Sequence, residues 1–244
     1  MSRTIFLAGA TGAIGRRLSP ILVAEGWRVV GATRSSDKLA DLRALGVEPV
    51  VVDVFDAATL TKVVAEAKPD VVIHQLTDLP PALDPIRMPD ALVRNARVRD
   101  EGTRNLVAAA LAAGARRFIA QSIAFAYAEG PLPHKEEDPL APAADGLRGV
   151  SARGVASLER QVMEAPLDGI VLRYGFLYGP GTGFEAAEAP GSVHVDAAAK
   201  AAALAVTAGA PGLYNIAEDG GAVTSDKAKR AFGWSADWRS GAGR

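Results

Sequence analysis

Short apolar runs alternate with stretches of helical periodicity along most of the chain. The first run, Thr4 to Ala8, is continuously apolar and of strand length. After a glycine-rich turn, Ile14, Leu18, Ile21 and Leu22 recur at the spacing that places side chains on one face of a helix. The pattern therefore predicts a strand, a tight turn and a helix at the start of the chain.

The same alternation repeats further along. Five more β-rich runs predict strands, and the helical stretches between them are 38–45, 57–67 with Asp56 as N-cap, and 91–113. Continuous apolar strands that alternate with helices are typical of a parallel sheet covered on both faces, so the predicted class is a doubly wound α/β fold. Ligands of such sheets bind outside the carboxyl ends of the strands. The five later strands are RVVGAT, EPVVVD, PDVVIHQL, RRFIAQS and GIVLRYG.

Composition removes several classes of partner. The 244 residues carry a net charge of −1 and are 49% hydrophobic, with no stretch of about eighteen apolar residues. We therefore expect a cytoplasmic protein with no nucleic-acid and no membrane partner. There is no cysteine and there are three scattered histidines, so no metal site is predicted.

Three glycines in the first turn indicate the ligand. In Gly9-x-x-Gly12-x-x-Gly15, the first glycine allows a tight exit from the strand and the second allows a pyrophosphate to approach the backbone. The third lets the helix pack closely on the sheet, and the helix N-terminus favours negative charge. Because the pattern lies between a predicted strand and a predicted helix, it predicts a dinucleotide site.

The end of the second strand bears on which dinucleotide is bound. NAD is favoured by an acidic residue there, but the chain has Thr33 followed by Arg34 and Ser35. A guanidinium beside a hydroxyl suits a 2′-phosphate, so NADP(H) is favoured over NAD(H). The alternative is that Arg34 is an exposed turn residue and Asp37 binds the ribose. Asp53 likewise has two possible roles, at the adenine edge or as a cap of the next turn.

Several linked motifs resemble one family. FLAGATGAIG, VVDVFD, DVVIHQL, EGTRNLVAAALAAGARRFIAQS, VLRYGFLYGPG, VHVDAAAKA and LYNIAE occur in the order found in the extended short-chain dehydrogenase/reductases, the NAD-dependent epimerase/dehydratase family. The resemblance implies a dinucleotide-binding Rossmann core over residues 1–175 and a small, reduced C-terminal substrate lobe over 176–244.

The resemblance also implies a set of cofactor contacts. Gly9, Thr11, Gly12, Ala13, Ile14 and Gly15 would line the pyrophosphate, Arg34 and Ser35 the adenosine ribose, Asp53 and Val54 the adenine, Leu76 and Thr77 the ribose on the nicotinamide side, and Tyr174 and Gly175 the far end of the cofactor.

The catalytic positions of the family are changed in this chain. Members use a Tyr-x-x-x-Lys pair for proton exchange, and the matching helix has Ser151 and Val155 there. The position of the family's catalytic hydroxyl falls on Ile123, one residue after Ser122, and an asparagine of the middle helix is replaced by Arg99. Ser122 and Ser151 are the remaining candidates for donating a hydrogen bond to a carbonyl; the alternative is that both are capping residues.

Two functions remain open on these observations. The first is an NAD(P)-dependent oxidoreductase or epimerase-like enzyme of non-standard mechanism, acting on an unidentified small carbonyl or sugar-like substrate. The second is a non-catalytic NADP(H)-binding sensor or scaffold. The alanine-rich helical runs also allow a homodimer.

Overall fold

The structure, a computed structural model, describes residues 3–241 and contains nine strands and eight α-helices within that range. The strands are β1 (Thr4–Ala8), β2 (Arg28–Thr33), β3 (Glu48–Val51), β4 (Val71–His74), β5 (Arg117–Ile123), β6 (Asp168–Tyr174), β7 (Phe176–Tyr178), β8 (Ser192–His194) and β9 (Gly212–Ile216). The helices are α1 (Ala13–Ala24), α2 (Leu39–Ala44), α3 (Ala57–Ala67), α4 (Met88–Arg97), α5 (Thr103–Ala112), α6 (Gly146–Glu164), α7 (Val195–Ala205) and α8 (Asp226–Phe232).

Seven strands form one parallel sheet in the order β3-β2-β1-β4-β5-β6-β9, and β7 pairs with β8 in a separate two-stranded sheet. Alternate residues of β1 point to opposite faces, so Ile5 and Leu7 belong to one apolar cluster, with α1 and α7, while Phe6 belongs to the other, with α3, α5 and α6. Both faces are therefore buried, which confirms the predicted doubly wound fold.

The predicted helix over 91–113 is interrupted. The chain enters α4 at Met88, passes through a π-helical turn over Val98–Gly102 and continues as α5 from Thr103. A π turn adds a residue to the helical repeat and is found frequently at functional sites. Here it changes the direction in which Arg99 points relative to an uninterrupted helix.

The chain beyond residue 175 contributes to the main sheet. β9 pairs with β6, and the alanines of α7 are enclosed in the cluster that contains α1. The division into a core ending at 175 and a small lobe stays a prediction, as does the homodimer, and the small residues of α7 serve packing inside the chain. No helix among residues 3–241 has both the length and the apolar character needed to cross a membrane.

We expect Ile216→Ala to destabilise the whole chain as one unit. Ile216 is fully buried in β9, and removing a buried isoleucine side chain costs about 2–5 kcal/mol. Urea unfolding followed by circular dichroism and by tryptophan fluorescence should show one shared transition at a lower midpoint. Ile86→Ala, at a side chain that is 89% exposed, is the control without effect. Two separate transitions would favour an independent C-terminal lobe.

Candidate functional site

The turn between β1 and α1 leaves room for a ligand at one of its three glycines. A Cβ on Gly9, whose φ is +87°, would lie 2.4 Å from the carbonyl oxygen of Gln75, and a Cβ on Gly15 would lie 2.2 Å from the oxygen of Gly9. A Cβ on Gly12 would meet nothing closer than 3.4 Å. Gly9 and Gly15 are thus required by the fold itself, whereas Gly12 borders open space.

The N-terminus of α1 meets that open space. Gly12 is the N-cap, no side chain caps the helix, and the first turn carries no acidic residue. The first backbone N–H groups of α1 are therefore available to an anion, and the helix dipole adds positive potential. A pyrophosphate fits this arrangement, and Thr11, Ala13 and Ile14 lie on the same turn.

One pocket at the carboxyl ends of β1, β2 and β4 brings together residues predicted for two parts of the cofactor. Its lining includes Arg34 and Val54, predicted for the adenosine, and Leu76 and Thr77, predicted for the ribose on the nicotinamide side. Asp53 lies beside it, and its carboxylate accepts the backbone N–H of Phe55 at 2.9 Å. The turn-capping role considered for Asp53 is therefore present, and it leaves the carboxylate at the rim of this pocket.

Opposite charges lie close together at the end of the pocket where Arg34 is found. The guanidinium of Arg34 is 3.9 Å from Asp78, and Arg94 is 3.5 Å from the same carboxylate. The Ser35 hydroxyl donates to Asp37 and lowers the pKa of that exposed carboxyl. The site therefore offers two cations and an ionised Asp37, so both cofactor alternatives have their side chains in place.

Further along the same edge of the sheet, at the end of β6, Tyr174 is a packing residue. Its side chain is enclosed, its hydroxyl has a 3.5 Å contact from the Gln75 amide, and burial raises its pKa, so the phenol stays protonated. Gly175 packs against the backbone of Gly191, and a Cβ on Gly175 would lie 1.9 Å from the Gly191 carbonyl oxygen. Gly175 also borders a second pocket, where the rings of Phe125 and Phe176 stack with centroids 4.2 Å apart.

Ser122 has no free proton. Its hydroxyl is fully buried and donates to Glu159 at 2.7 Å, and the same carboxylate forms a bidentate pair with Arg173. Since a hydroxyl has one proton to donate, Ser122 is committed to holding Glu159 between β5, β6 and α6.

Ser151 has the opposite arrangement. It lies on α6, is partly exposed and receives a hydrogen bond from Nη1 of Arg99 at 2.9 Å. Arginine only donates, so the serine oxygen is the acceptor and its own proton has no acceptor among residues 3–241. Val155, one turn later, is fully buried. The structure thus separates two serines that looked equivalent in the sequence.

Sequence reasoning noted Arg99 as a departure from the family pattern and assigned it no role. Its burial had no signal in the sequence, because Arg94, Arg97 and Arg104 lie on the same charged helical stretch and are exposed. The ion pair between Arg173 and Glu159 gave no sequence signal, since its members lie on separate elements.

A glycine turn that fits a pyrophosphate, a pocket at the carboxyl ends of the strands and a parallel sheet are together typical of an NAD(P)-binding Rossmann protein. The chain belongs to the NAD(P)H-binding family, whose pattern matches residues 9–208.

Named relatives include a reductase. The chain is 40% identical over 236 residues to a 3-diazoavenalumate denitrifying reductase of a Streptomyces species, covering 88% of this chain and 76% of that protein. It is 29% identical over 176 residues to dTDP-4-dehydrorhamnose reductase of Streptomyces griseus, covering 72% of this chain and 50% of that protein.

Solved structures share the fold. UDP-glucose 4-epimerase of Thermotoga maritima superimposes with a TM-score of 0.77 at 19% identity, covering 97% of this chain and 94% of that one. WbmG of Bordetella bronchiseptica, solved with NAD and UDP, superimposes with a TM-score of 0.76 at 18% identity, covering 98% of this chain and 91% of that one. The expected resemblance to the epimerase/dehydratase family is confirmed at the level of the fold.

The burial of His74 predicts that the folded protein loses stability at acidic pH. His74 is fully buried at the end of β4, where Nδ1 accepts the N–H of Leu76 at 3.1 Å and the other ring nitrogen lies 3.1 Å from the Thr103 hydroxyl. Burial, and then the charge of Arg99, lowers its pKa from 6.5 to about 4. The unfolded chain therefore binds a proton at a higher pH than the folded one does.

Stability should consequently fall as the pH drops from about 6.5 to about 4, by up to about 3 kcal/mol from this group. Urea midpoints measured across that range should show the slope, and His74→Asn should reduce it. An unchanged slope in His74→Asn would show that His74 does not titrate as the burial requires.

Proposed function

We propose that the protein is an NAD(P)H-dependent reductase whose substrate accepts a hydride without a proton from the protein. The observation that carries this proposal is the hydrogen bond from Arg99 to Ser151 on α6. By the family resemblance, Ser151 and Val155 stand at the positions of the tyrosine and lysine, and Arg99 beside Ser151 is a cation at neutral pH. A serine without an adjacent base is a poor acid, so reactions that need proton relay are disfavoured.

A diazo substrate fits such a site. The relative that is 40% identical is named as a denitrifying reductase of a diazo compound. We propose the same reaction class here: a substrate diazonium group is replaced by hydrogen. The bound nicotinamide supplies the hydride; this chain's residues bind and orient the substrate.

The reaction balances without an acid. A substrate R–N₂⁺ and NAD(P)H give R–H, N₂ and NAD(P)⁺. The C–N bond breaks and its electron pair leaves with N₂, while the hydride brings the electron pair of the new C–H bond. The substrate is reduced by two electrons and the cofactor is oxidised by two, and no proton is transferred at any step.

The second pocket supports a flat substrate. Phe125 and Phe176 are 45% and 40% exposed and stack on each other beside Gly175, at the carboxyl ends of β5 and β6. Exposed aromatic faces gain stabilisation when they cover another ring. We infer that this pair packs against an aromatic portion of the substrate.

NADP(H) is the proposed cofactor. The Arg34 side chain is 54% exposed and its pairing with Asp78 at 3.9 Å is loose, so it can turn to a 2′-phosphate at little cost. Arg94 adds a second positive charge near the same carboxylate. Charge-assisted hydrogen bonds to phosphate would then favour the phosphorylated dinucleotide.

The reaction is tested with NADPH that carries deuterium at C4 of the nicotinamide. The purified protein is incubated with 4-carboxybenzenediazonium, and we expect N₂ release together with benzoate that carries one deuterium at the position of the lost nitrogen. Substrates that need an acid, such as aldehydes and nucleotide-sugar ketones, should turn over at least about 10²-fold more slowly, since a proton relay contributes about 10²–10⁴-fold.

Gly12→Val is the matched control for this assay. Its Cβ would lie 3.4 Å from the Gly9 carbonyl oxygen, an ordinary contact distance, so the fold should persist while the pyrophosphate is excluded and turnover is lost. Deuterium-free benzoate, or a rate no higher than that of Gly12→Val, would contradict the reductase proposal. Tight NADPH binding with no turnover of any substrate class would support the non-catalytic sensor instead.

Arg34→Ala should weaken NADPH binding by about 10- to 100-fold and leave NADH binding unchanged, because a hydrogen bond to a charged group contributes about 1.5–3 kcal/mol. Dissociation constants for both cofactors can be measured by calorimetry. Asp37→Asn tests the alternative, in which the carboxylate binds the ribose: that variant should then lose NADH affinity. Equal affinities for the two cofactors in wild type and in Arg34→Ala would refute the NADP preference.

A further inference from the structure

Two arginines in the core of this protein are both buried, but their hydrogen-bond donors are satisfied to different degrees. Arg173 is 2% exposed and donates to both oxygens of Glu159, to the Tyr127 hydroxyl and to the carbonyl oxygen of Glu136. Its charge is matched and its donors are used. Arg173 therefore has a structural role.

Arg99 is 7% exposed and makes a single hydrogen bond among residues 3–241, from Nη1 to the Ser151 hydroxyl. No carboxylate lies within ion-pair distance of it in the described part of the chain. Glu159 and His74 are the titratable groups that act on it electrostatically, and the charge of Glu159 is already matched by Arg173. Burial lowers its pKa to about 10, so the guanidinium is still a cation at neutral pH.

The unused donors of Arg99 face open space. Among residues 3–241, the fully enclosed side-chain polar atoms without a partner are Gln75 Oε1 and Asp196 Oδ1. The unbonded nitrogens of Arg99 are not among them, so they retain contact with solvent space although the side chain as a whole is buried. The Ser151 hydroxyl, 2.9 Å from Nη1 of Arg99, keeps its own proton to donate. A buried cation and a hydroxyl donor thus lie side by side.

The backbone around Arg99 supports a functional reason for this arrangement. The residue lies in the π-helical turn between α4 and α5, and it reaches across to α6. A buried cation without a partner is costly, and it persists when a ligand supplies the missing charge.

We propose that Arg99 and Ser151 form a binding site for an ionised oxygen of the substrate, of the carboxylate or phenolate class. Arg99 donates its free N–H groups to the oxygen and also polarises Ser151, which donates its proton to the same atom. The proposal rests on the proposed function only in taking the region around Arg99 and Ser151 as the substrate site. This site selects among substrates by charge, because a neutral group leaves the guanidinium unpaired.

The first test uses 4-nitrophenol, whose ionised form absorbs visible light, bound to the complex with NADP⁺. A buried cation stabilises the phenolate, so the apparent pKa of the bound probe should lie at least about one unit below that of the free probe, a tenfold preference for the ionised form. Arg99→Met should abolish this shift and Arg99→Lys should keep part of it. Arg104→Met, at an arginine that is 61% exposed on α5, is the matched control and should behave as wild type.

The second test is stability without ligand. If Arg99 is kept for binding, Arg99→Met removes an unpaired buried charge and should raise the melting temperature by about 2–4 °C or more while probe binding is lost. A lower melting temperature or failure to fold would show that the guanidinium is structural and would overturn the proposal. So would an unshifted probe in wild type, or an equal shift in Arg99→Met. Neither test needs turnover, so the diazonium assay can fail while this site is verified.

Discussion

The close fit of Gly15 against the carbonyl oxygen of Gly9 is the contact on which the binding edge depends. Any side chain on Gly15 would place a Cβ 2.2 Å from that oxygen, so α1 can begin directly above the end of β1 only because both residues are glycines. Gly9 in turn lies against the backbone of Gln75, which follows β4. The end of β1, the N-terminus of α1 and the exit of β4 are thereby held together, and this is where a pyrophosphate needs preorganised donors.

Most strands of the main sheet could be predicted from the sequence, because each is identified by the pattern of its own residues and their neighbours in the chain. A continuous apolar strand, a glycine turn and a helix identify each repeating unit, and Asp56 does cap α3 by accepting the N–H of Thr59. β9 was missed as a strand because its five residues, GLYNI, include a glycine and an asparagine and form no continuous apolar run, and β7 and β8 are only three residues long. The π turn was missed because one added residue shifts the helical period without interrupting it.

Site residues whose role depends on local backbone shape could be predicted from the sequence. Site residues whose role depends on a side chain far away in the chain could not. The spacing of Gly9, Gly12 and Gly15 specifies a local geometry, and the structure shows which of the three the fold itself does not need. The two serines could not be told apart, because their difference lies in Glu159, 37 residues from Ser122, and in Arg99, 52 residues from Ser151. Glu159 accepts a hydrogen bond from Ser122, whereas Arg99 donates one to Ser151. This difference alone leaves the Ser151 hydroxyl free to donate.

The loss of the tyrosine and lysine and the presence of an unpaired arginine have one chemical explanation. A tyrosine and lysine pair lowers the barrier of reactions in which an oxygen gains or loses a proton. Where the leaving group is N₂, no proton is needed, so that pair brings no advantage, and a cation on the neighbouring helix can act on the substrate instead. A cation cannot relay protons, but it can hold an ionised substrate in a fixed orientation toward the hydride donor, and orientation is what remains for the protein to supply. In the proposed reaction the rate therefore depends on geometry and charge complementarity, which are the two properties that the pairing of Arg99 with Ser151 provides.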